Sequence, residues 1–362
     1  MKLLVVPDKG RSFSSLRPEA EIYISLAEAG HELTLCVDPR STYITRYEAA
    51  NIDVRILSYG SKLVWDNIKI IHRLIKTKQI EAVYATTSRT IPNAAIACVG
   101  TSAKMVAYRG TTGGLYRSDA SNYLGLMNPR INGIVCVSSA VEEYVKKRVR
   151  KSIHPFVSTI LKGHDTAWYT ETAADLSEFS TDTTQFNVLC IGSARPYKGM
   201  KYFIDALNYI KDLPNLRVLL VGNRFETPKF QRQIQATGMA DRICQPGFRS
   251  DVPQIAKACD VLVLPSLREG LPRVVMESLA NGTPVIGAAN SGTLEILEDN
   301  ENGYIVPAAN AEAIAEKIRF LYQSPDELQR LKNNATKAID GRLSHQTTVN
   351  AMTNYFNQII NQ

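Results

Sequence analysis

Short apolar runs alternating with amphipathic helical segments are the feature that most narrows what these 362 residues can form. The first half carries "KLLVVP", "ELTLCV", "VRILSY", "AVYAT", "KMVAYR" and "GIVCVS"; the second carries "NVLCIGS", "LRVLLVG", "RICQPG", "VLVLPS" and "TPVIGA". Runs this short and this continuously apolar suit strands covered on both faces, as in a parallel sheet flanked by helices. Helix candidates fall between them: "RPEAEIYISLAEAGH", "VWDNIKIIHRLIKTKQ", "AVEEYVKKRVRK", "MKYFIDALNYIKD" and "VPQIAKACD". The alternation predicts an α/β chain of β-α-β units in two doubly wound sheets. A single core does not ordinarily extend over so many residues, so two domains are expected. The polar, strand-free stretch 166–186 marks the change, and the boundary is expected at "LKGHDTAWY". Residues 1–163 are expected to form the first domain and 164–340 the second. A last helix over 341–362 is expected to pack back on the first. No fixed-period repeat or low-complexity tract interrupts the pattern.

Composition removes several classes. The six cysteines are scattered, mostly inside apolar runs and without Cys-x-x-Cys spacing, which suits reduced core residues of a cytosolic protein. "MKLLVVPDKG" is too short an apolar start for a signal peptide, and no run of about 18 apolar residues occurs, so a cytoplasmic location is expected. Charge is uneven. Through Asp165 there are 23 Lys and Arg against 14 Asp and Glu, and the remainder carries a net −2. A basic first half suits an anionic partner such as phosphate, nucleic acid or acidic lipid.

Ligands of doubly wound domains bind at the carboxyl ends of the strands, so each strand-to-helix junction matters. "PDKGRSFSSLRPEAE" contains Gly10 and Arg11 but no G-x-G-x-x-G, which argues against a dinucleotide site. No P-loop motif is present either. "NVLCIGSARPYKGMKYFIDAL" runs a strand into Gly192, then Ser193, Arg195, Lys198 and the start of a helix. Two cations and backbone amides at a helix N-terminus can hold a phosphate or diphosphate. Taken alone, those cations read equally well as solvated surface charge.

"VLVLPSLREGLPRVVMESLANGTPVIG" sets Glu269 and Glu277 eight positions apart. On one helix that interval is about 80° past two turns, so the two would share a face poorly. The conflict disappears if Glu269 and Gly270 lie in the loop and Glu277 in the helix that follows. A bent site then receives one carboxylate for each half of an extended ligand, and carboxylates accept paired hydrogen bonds from vicinal hydroxyls. The plainer alternative is a loop glutamate and a glutamate complementing the helix dipole.

These residues resemble the retaining glycosyltransferases of family 4, among the group 1 glycosyl transferases. That family has the GT-B fold, two Rossmann-like doubly wound domains facing across a cleft, and uses nucleotide-sugar donors. Its signature of two glutamates with seven residues between them, followed by "G-x-P-V-I", matches Glu269, Glu277 and "NGTPVIG". "GSARPYKG" resembles its phosphate loop, and "VLLVGN", "GFRSDVPQIAKACDVLVLPSLREG" and "SGTLEILEDNENGYIVPAANAEAIAEKI" follow in the family's order. The likeness covers nearly all of residues 187–320 and is looser over 1–165. It implies that Lys198 contacts the donor diphosphate, Glu277 the nucleotide ribose and Glu269 the hydroxyls of the transferred sugar. Gly270, Leu271 and Pro272 would line sugar and phosphates, with Phe248 and Arg249 of "GFR" beside the base. Two departures stand out: Ser193 occupies the family's usual arginine position, leaving Arg195 to substitute, and Arg109 stands where many members have a sugar-binding histidine.

With cations and amides facing the leaving nucleoside diphosphate, neither a metal nor a cofactor is expected, and the nucleotide-sugar is a substrate. No His or Asp cluster has metal-ligand spacing, and the family's retention of configuration does without a dedicated base. The acceptor, a glycan or lipid-linked precursor, is expected on the basic first domain. "KLVWDNIKIIHRLIKTK" interleaves cations with apolar residues as an interfacial helix would, although a surface helix packed on its own sheet explains it too. "YVKKRVRK" adds a second basic segment; nucleic acid fits the charge but no recognition motif supports it. A UDP-sugar is favoured over a GDP-sugar. A GT-B epimerase or phosphorylase, or a silent sugar-nucleotide binder, are the alternatives.

Overall fold

Each of the eleven apolar runs becomes a strand of a parallel sheet in the computed structural model, which describes residues 1–7 and 13–362. The chain divides into two units, 1–162 with 345–362, and 163–344. In the first, strands β1 (Lys2–Val6), β2 (Glu32–Val37), β3 (Asp53–Ile56), β4 (Ala82–Ala85), β5 (Lys104–Arg109), β6 (Ile131–Cys136) and β7 (Val157–Thr159) form one seven-stranded sheet, ordered β3-β2-β1-β4-β5-β6-β7. Helices α1 (Phe13–Glu28), α2 (Ile44–Ala49), α3 (Trp65–Lys78), α4 (Thr90–Ala97), α5 (Ser121–Leu124) and α6 (Ser139–Lys146) connect the strands. Two expectations are trimmed: "VRILSY" leaves its sheet after Ile56, and the helix begun by "AVEEYVK" stops at Lys146.

The first unit decides between the two readings of its first basic segment in favour of a surface helix packed on its own sheet. In α3, Ile68, Ile71 and Ile75 are buried, while Lys69, Arg73, Lys76 and Trp65 face outward. The apolar stripe is therefore consumed by packing, as in an ordinary surface helix, and does not form the apolar face of an interfacial one. The "YVKKRVRK" cations are largely engaged within the fold. Lys146 pairs with Glu142 at 2.6 Å, Lys147 with Glu143, and the Arg148 guanidinium lies 3.7 Å from the Tyr144 ring centre. Arg150 donates to the carbonyls of Pro129 and Ile131.

In the second unit, β8 (Phe186–Ser193), β9 (Leu216–Asn223), β10 (Ile243–Gly247), β11 (Val261–Leu264), β12 (Val285–Ala288) and β13 (Gly303–Val306) are ordered β10-β9-β8-β11-β12-β13. Helices α7 (Met200–Leu207), α8 (Pro228–Ala236), α9 (Val252–Ala258), α10 (Arg273–Ala280), α11 (Ala311–Gln323) and α12 (Pro325–Asp340) accompany them. The core joins Val188, Val218 and Leu220 of the sheet to Phe203, Leu207 and Ile318 of the helices. Each such side chain contributes about 1.5–3 kcal/mol on burial. The sheet builds outward from β8 through β9 and β10, then restarts at β11 on the other side of β8. Connections leaving β8 and β11 thus diverge, opening a crevice at their carboxyl ends.

The final helix, α13 (His345–Ile360), returns to the first unit, where Met352, Phe356 and Ile359 join a core containing Leu3, Leu35, Tyr84 and Val106. Tyr355 donates to the Phe156 carbonyl at 2.8 Å and Thr348 to that of Leu161 at 2.8 Å. Among the described residues no helix is long and apolar enough to cross a membrane.

Candidate active site

The β8/β11 switch point brings the phosphate-like loop against the glutamate signature. After Ser193 the chain passes Ala194 and Arg195, makes a single 3-10 turn over Pro196–Lys198, and enters α7 from Gly199. Gly199 has φ +66°, and a Cβ there would sit 1.9 Å from the Pro265 carbonyl oxygen, so only glycine lets this turn approach the end of β11. The Leu267 N–H then donates to the Tyr197 carbonyl at 2.8 Å, tying the two loops together. Lys198 Nζ consequently lies 2.7 Å from Glu269 Oε1, with both side chains mostly buried.

Glu269 does lie in the loop and Glu277 in the helix, as the eight-residue spacing requires. Pro272 precedes the first residue of α10, where its missing N–H costs no helical bond. Glu277 is the fifth helical residue and buried, and its Oε1 is 3.2 Å from Arg273 Nε one turn earlier. The two form an ion pair within one turn of the helix. Gly270, Leu271 and Pro272 bridge the two glutamates.

The loop after β12 buttresses the signature. A Cβ on Gly292 would fall 2.8 Å from the Gly270 carbonyl oxygen and 2.9 Å from Glu269 Cβ, so this segment is pressed against the loop. Asn290 holds it there: its Nδ2 donates to the Ser266 carbonyl at 2.8 Å, and its Oδ1 accepts from the Gly292 and Thr293 N–H groups at 3.1 Å. Sequence reasoning passed over Asn290, Tyr197 and Arg273. Asn-x-x-Thr directly after a strand is a local capping signal that could have flagged the first.

The remaining expected residues are distributed less tightly. Arg195 is exposed and donates to the Tyr197 hydroxyl at 3.0 Å, whereas Lys198, three residues on, takes Glu269 as partner. The Arg268 guanidinium lies 5.6 Å from the Tyr197 ring centre, adding a cation that the sequence reading did not single out. Phe248 follows Gly247, whose φ is +76°, and is 79% exposed. Arg249 is held by Asp251 at 2.6 Å and Glu178 at 3.3 Å, the Asp251 bond above all raising its pKa. In the first unit, Arg109 ends β5, and its guanidinium donates to the carbonyls of Thr111, at 2.8 Å, and Gly113. Its hydrogen bonds serve its own loop, and burial lowers its pKa. Gly10 and Arg11 lie outside the described residues. Among those described, no cluster of three or more His, Cys, Asp or Glu has metal-binding geometry.

Comparison with known proteins finds similarity that falls on the second unit. The family described as "Glycosyl transferases group 1" matches residues 173–338. An N,N'-diacetylbacillosaminyl-diphospho-undecaprenol α-1,3-N-acetylgalactosaminyltransferase of Campylobacter jejuni is 33% identical over 156 residues, 42% of this chain and 40% of the relative. The lipopolysaccharide core biosynthesis glycosyltransferase LpsE of Rhizobium meliloti is 27% identical over 179 residues, 49% of this chain and 52% of the relative. The chain thus spans about half or less of these relatives. Among solved structures, a glycosyltransferase from Rickettsia africae superposes with TM-score 0.82 at 18% identity, covering 99% of this chain and 98% of that one. Anabaena HepE in complex with UDP gives 0.79 at 20%, covering 99% and 100%. At such identities the likeness is one of fold, and it extends over both units. The chain thus has the GT-B fold, and its second unit is similar over residues 173–338 to the family described as Glycosyl transferases group 1.

Proposed function

We propose that this chain is a glycosyltransferase, moving a sugar from a nucleotide-sugar donor to a glycan or glycolipid acceptor with retention of configuration, in cell-surface polysaccharide or lipopolysaccharide synthesis. The observation carrying the reading is the 2.7 Å approach of Lys198 to Glu269 at the switch point of the second sheet. One ligand laid there meets a cation suited to a diphosphate and a carboxylate suited to sugar hydroxyls. Glu277, buried and paired with Arg273, would accept from the ribose hydroxyls. The leaving nucleoside diphosphate gathers negative charge as the glycosidic bond breaks. Lys198 and the backbone amides entering α7 would stabilise it, a contribution on the order of several kcal/mol. Arg195 is the proposed second cation of this clamp, and no side chain is assigned as general base. We further propose that no metal is required.

UDP is the favoured nucleotide, supported by the Anabaena relative of like fold, whose structures hold UDP and UDP-glucose. The two curated relatives, by their names, act on a diphospho-undecaprenol-linked sugar and in lipopolysaccharide core synthesis, which supports a glycolipid or glycan acceptor. The first unit is proposed to take the acceptor, and its outward cations Lys69, Arg73 and Lys76 to meet an anionic membrane surface.

Thermal-shift measurement against UDP-, GDP- and ADP-sugars, followed by transfer assays with and without EDTA, tests the proposal. Glu277→Ala is expected to weaken donor binding by about 1–3 kcal/mol, because ribose hydroxyls lose a buried acceptor. Unchanged affinity would remove the ribose role. Donor binding without transfer would favour a silent binder, and EDTA-sensitive activity restored by Mg²⁺ would assign the leaving-group charge to a metal.

A further inference from the structure

A hollow of about 640 Å³ lies in the second unit, between the first turns of α7 and α8, and contains none of Lys198, Glu269 or Glu277. Its floor is apolar, supplied by Met200, Tyr202, Phe230 and Leu267. Three cations stand on its rim from separate places in the chain: Arg195 after β8, Arg224 after β9 and Lys229 in α8. Lys201 also lines it but is neutralised by Asp205, which in turn accepts from Gln233 at 2.7 Å. Among the described residues, Arg195 has the neutral Tyr197 hydroxyl as its side-chain partner, and neither Arg224 nor Lys229 has a carboxylate partner.

Asp205 offsets Lys201, which leaves Arg195, Arg224 and Lys229 as an excess of positive charge around one hollow, and like charges so gathered repel. The backbone sharpens the point. Arg224 has φ +68°, a region where side chains carry strain and glycine carries none. Strain of this kind is commonly retained where the residue serves a site. The volume suits one small molecule, and the cations surround a compact hollow where an extended polyanion would call for a stripe. Guanidinium groups match phosphate geometry, and the aromatic and aliphatic floor suits an apolar or ring-shaped body.

We propose that this hollow is a second anion site, for a diphosphate ester whose body rests on Tyr202, Phe230 and Leu267. Two sources share that chemistry, a nucleoside diphosphate and an isoprenoid diphosphate. The hollow contains none of Lys198, Glu269 or Glu277 but shares Arg195 with the proposed donor clamp, so the test acts on Arg224 and Lys229, which that clamp does not use.

Calorimetric titration with inorganic pyrophosphate tests the inference in the wild type, in Arg224→Gly/Lys229→Gln and in Lys198→Ala. The wild type is expected to bind at two sites, with one lost or weakened at least 10-fold in Arg224→Gly/Lys229→Gln and the other affected in Lys198→Ala. Arg224→Gly relieves the backbone, so the double variant should melt no lower than the wild type; Lys229→Gln alone, on an exposed helix position, repeats the test if it does. Pyrophosphate binding unchanged in both groove variants, or absent from the wild type at millimolar concentration, overturns the site. Loss in the groove variants with no change in Lys198→Ala upholds it while removing Lys198 from the donor clamp. UDP and geranyl diphosphate then identify the source: whichever binds the Lys198→Ala protein at least 10-fold more tightly than pyrophosphate names the body, and equal affinity of all three overturns the role of the apolar floor.

Discussion

At the scale of single residues, the ion pair between Lys198 and Glu269 has a directional consequence. A lysine already partnered by a carboxylate must exchange that partner, wholly or in part, when a diphosphate arrives. Glu269→Gln is therefore expected to leave the affinity for free nucleoside diphosphate unchanged or improved, while transfer falls by about 10²-fold or more through lost sugar contacts. Lys198→Ala should lower both, and Arg195→Ala should cost less than Lys198→Ala because its guanidinium is exposed beside the Tyr197 hydroxyl. Calorimetry with UDP and saturating-donor rates separate these outcomes; equal losses of UDP affinity in Glu269→Gln and Lys198→Ala would contradict the division of roles. The position of Glu269 in a loop and Glu277 in a helix was legible because eight residues cannot keep one helical face. That Lys198 meets Glu269 was not, since 71 residues separate them and only the close approach of Gly199 to Pro265 brings them together.

At the scale of elements, continuous apolar runs revealed eleven strands, because strands buried on both faces leave little room for polar residues. The sequence reading did not name β7 and β13. β7 has three residues, two of them polar, and β13 begins with glycine inside a polar stretch, so neither carries the signal. In α3 the isoleucines were legible as a stripe, but periodicity cannot say whether a stripe faces a sheet or a lipid surface. Burial of Ile68, Ile71 and Ile75 leaves charge as the only contribution α3 can offer along that face beyond the exposed Trp65 and Ile70. Replacing Lys69, Arg73 and Lys76 with Gln should reduce sedimentation with anionic vesicles, by about 1 kcal/mol per charge, and salt should mimic the change. The folded core of α3 should be unaffected, as circular dichroism would report. A wild-type protein that ignores such vesicles at low salt would remove the proposed membrane contact.

At the scale of the whole molecule, the chain passes between units twice, at 162/163 and 344/345. Just before the first passage, Lys162 is largely buried 2.6 Å from Glu19 and 4.1 Å from the Tyr108 ring centre. Burial acts to raise the Glu19 pKa, but Lys162 and the Tyr23 and Thr86 hydroxyls outweigh it and hold the carboxyl below its ordinary value. Burial acts to lower the Lys162 pKa, and Glu19 and Tyr108 reverse that. A depressed carboxyl stabilises the fold above its unfolded pKa of about 4.3 and loses that contribution as pH falls through the folded value. Thermal melts from neutral pH into acid should show this loss, and Glu19→Gln should flatten its acid limb while lowering stability at neutral pH by about 3–5 kcal/mol, because Lys162 is left buried without its partner. An unchanged acid slope in Glu19→Gln would assign the loss to other carboxyls. The double passage also sets an order of manufacture. A ribosome releases the seven strands of the first sheet, then the entire second unit, and only afterwards the α13 residues Met352, Phe356 and Ile359 that complete the first core. The second unit is contiguous and can close on the nascent chain as soon as it emerges. The first unit, begun earliest, must hold an unfinished apolar face until the last helix is translated.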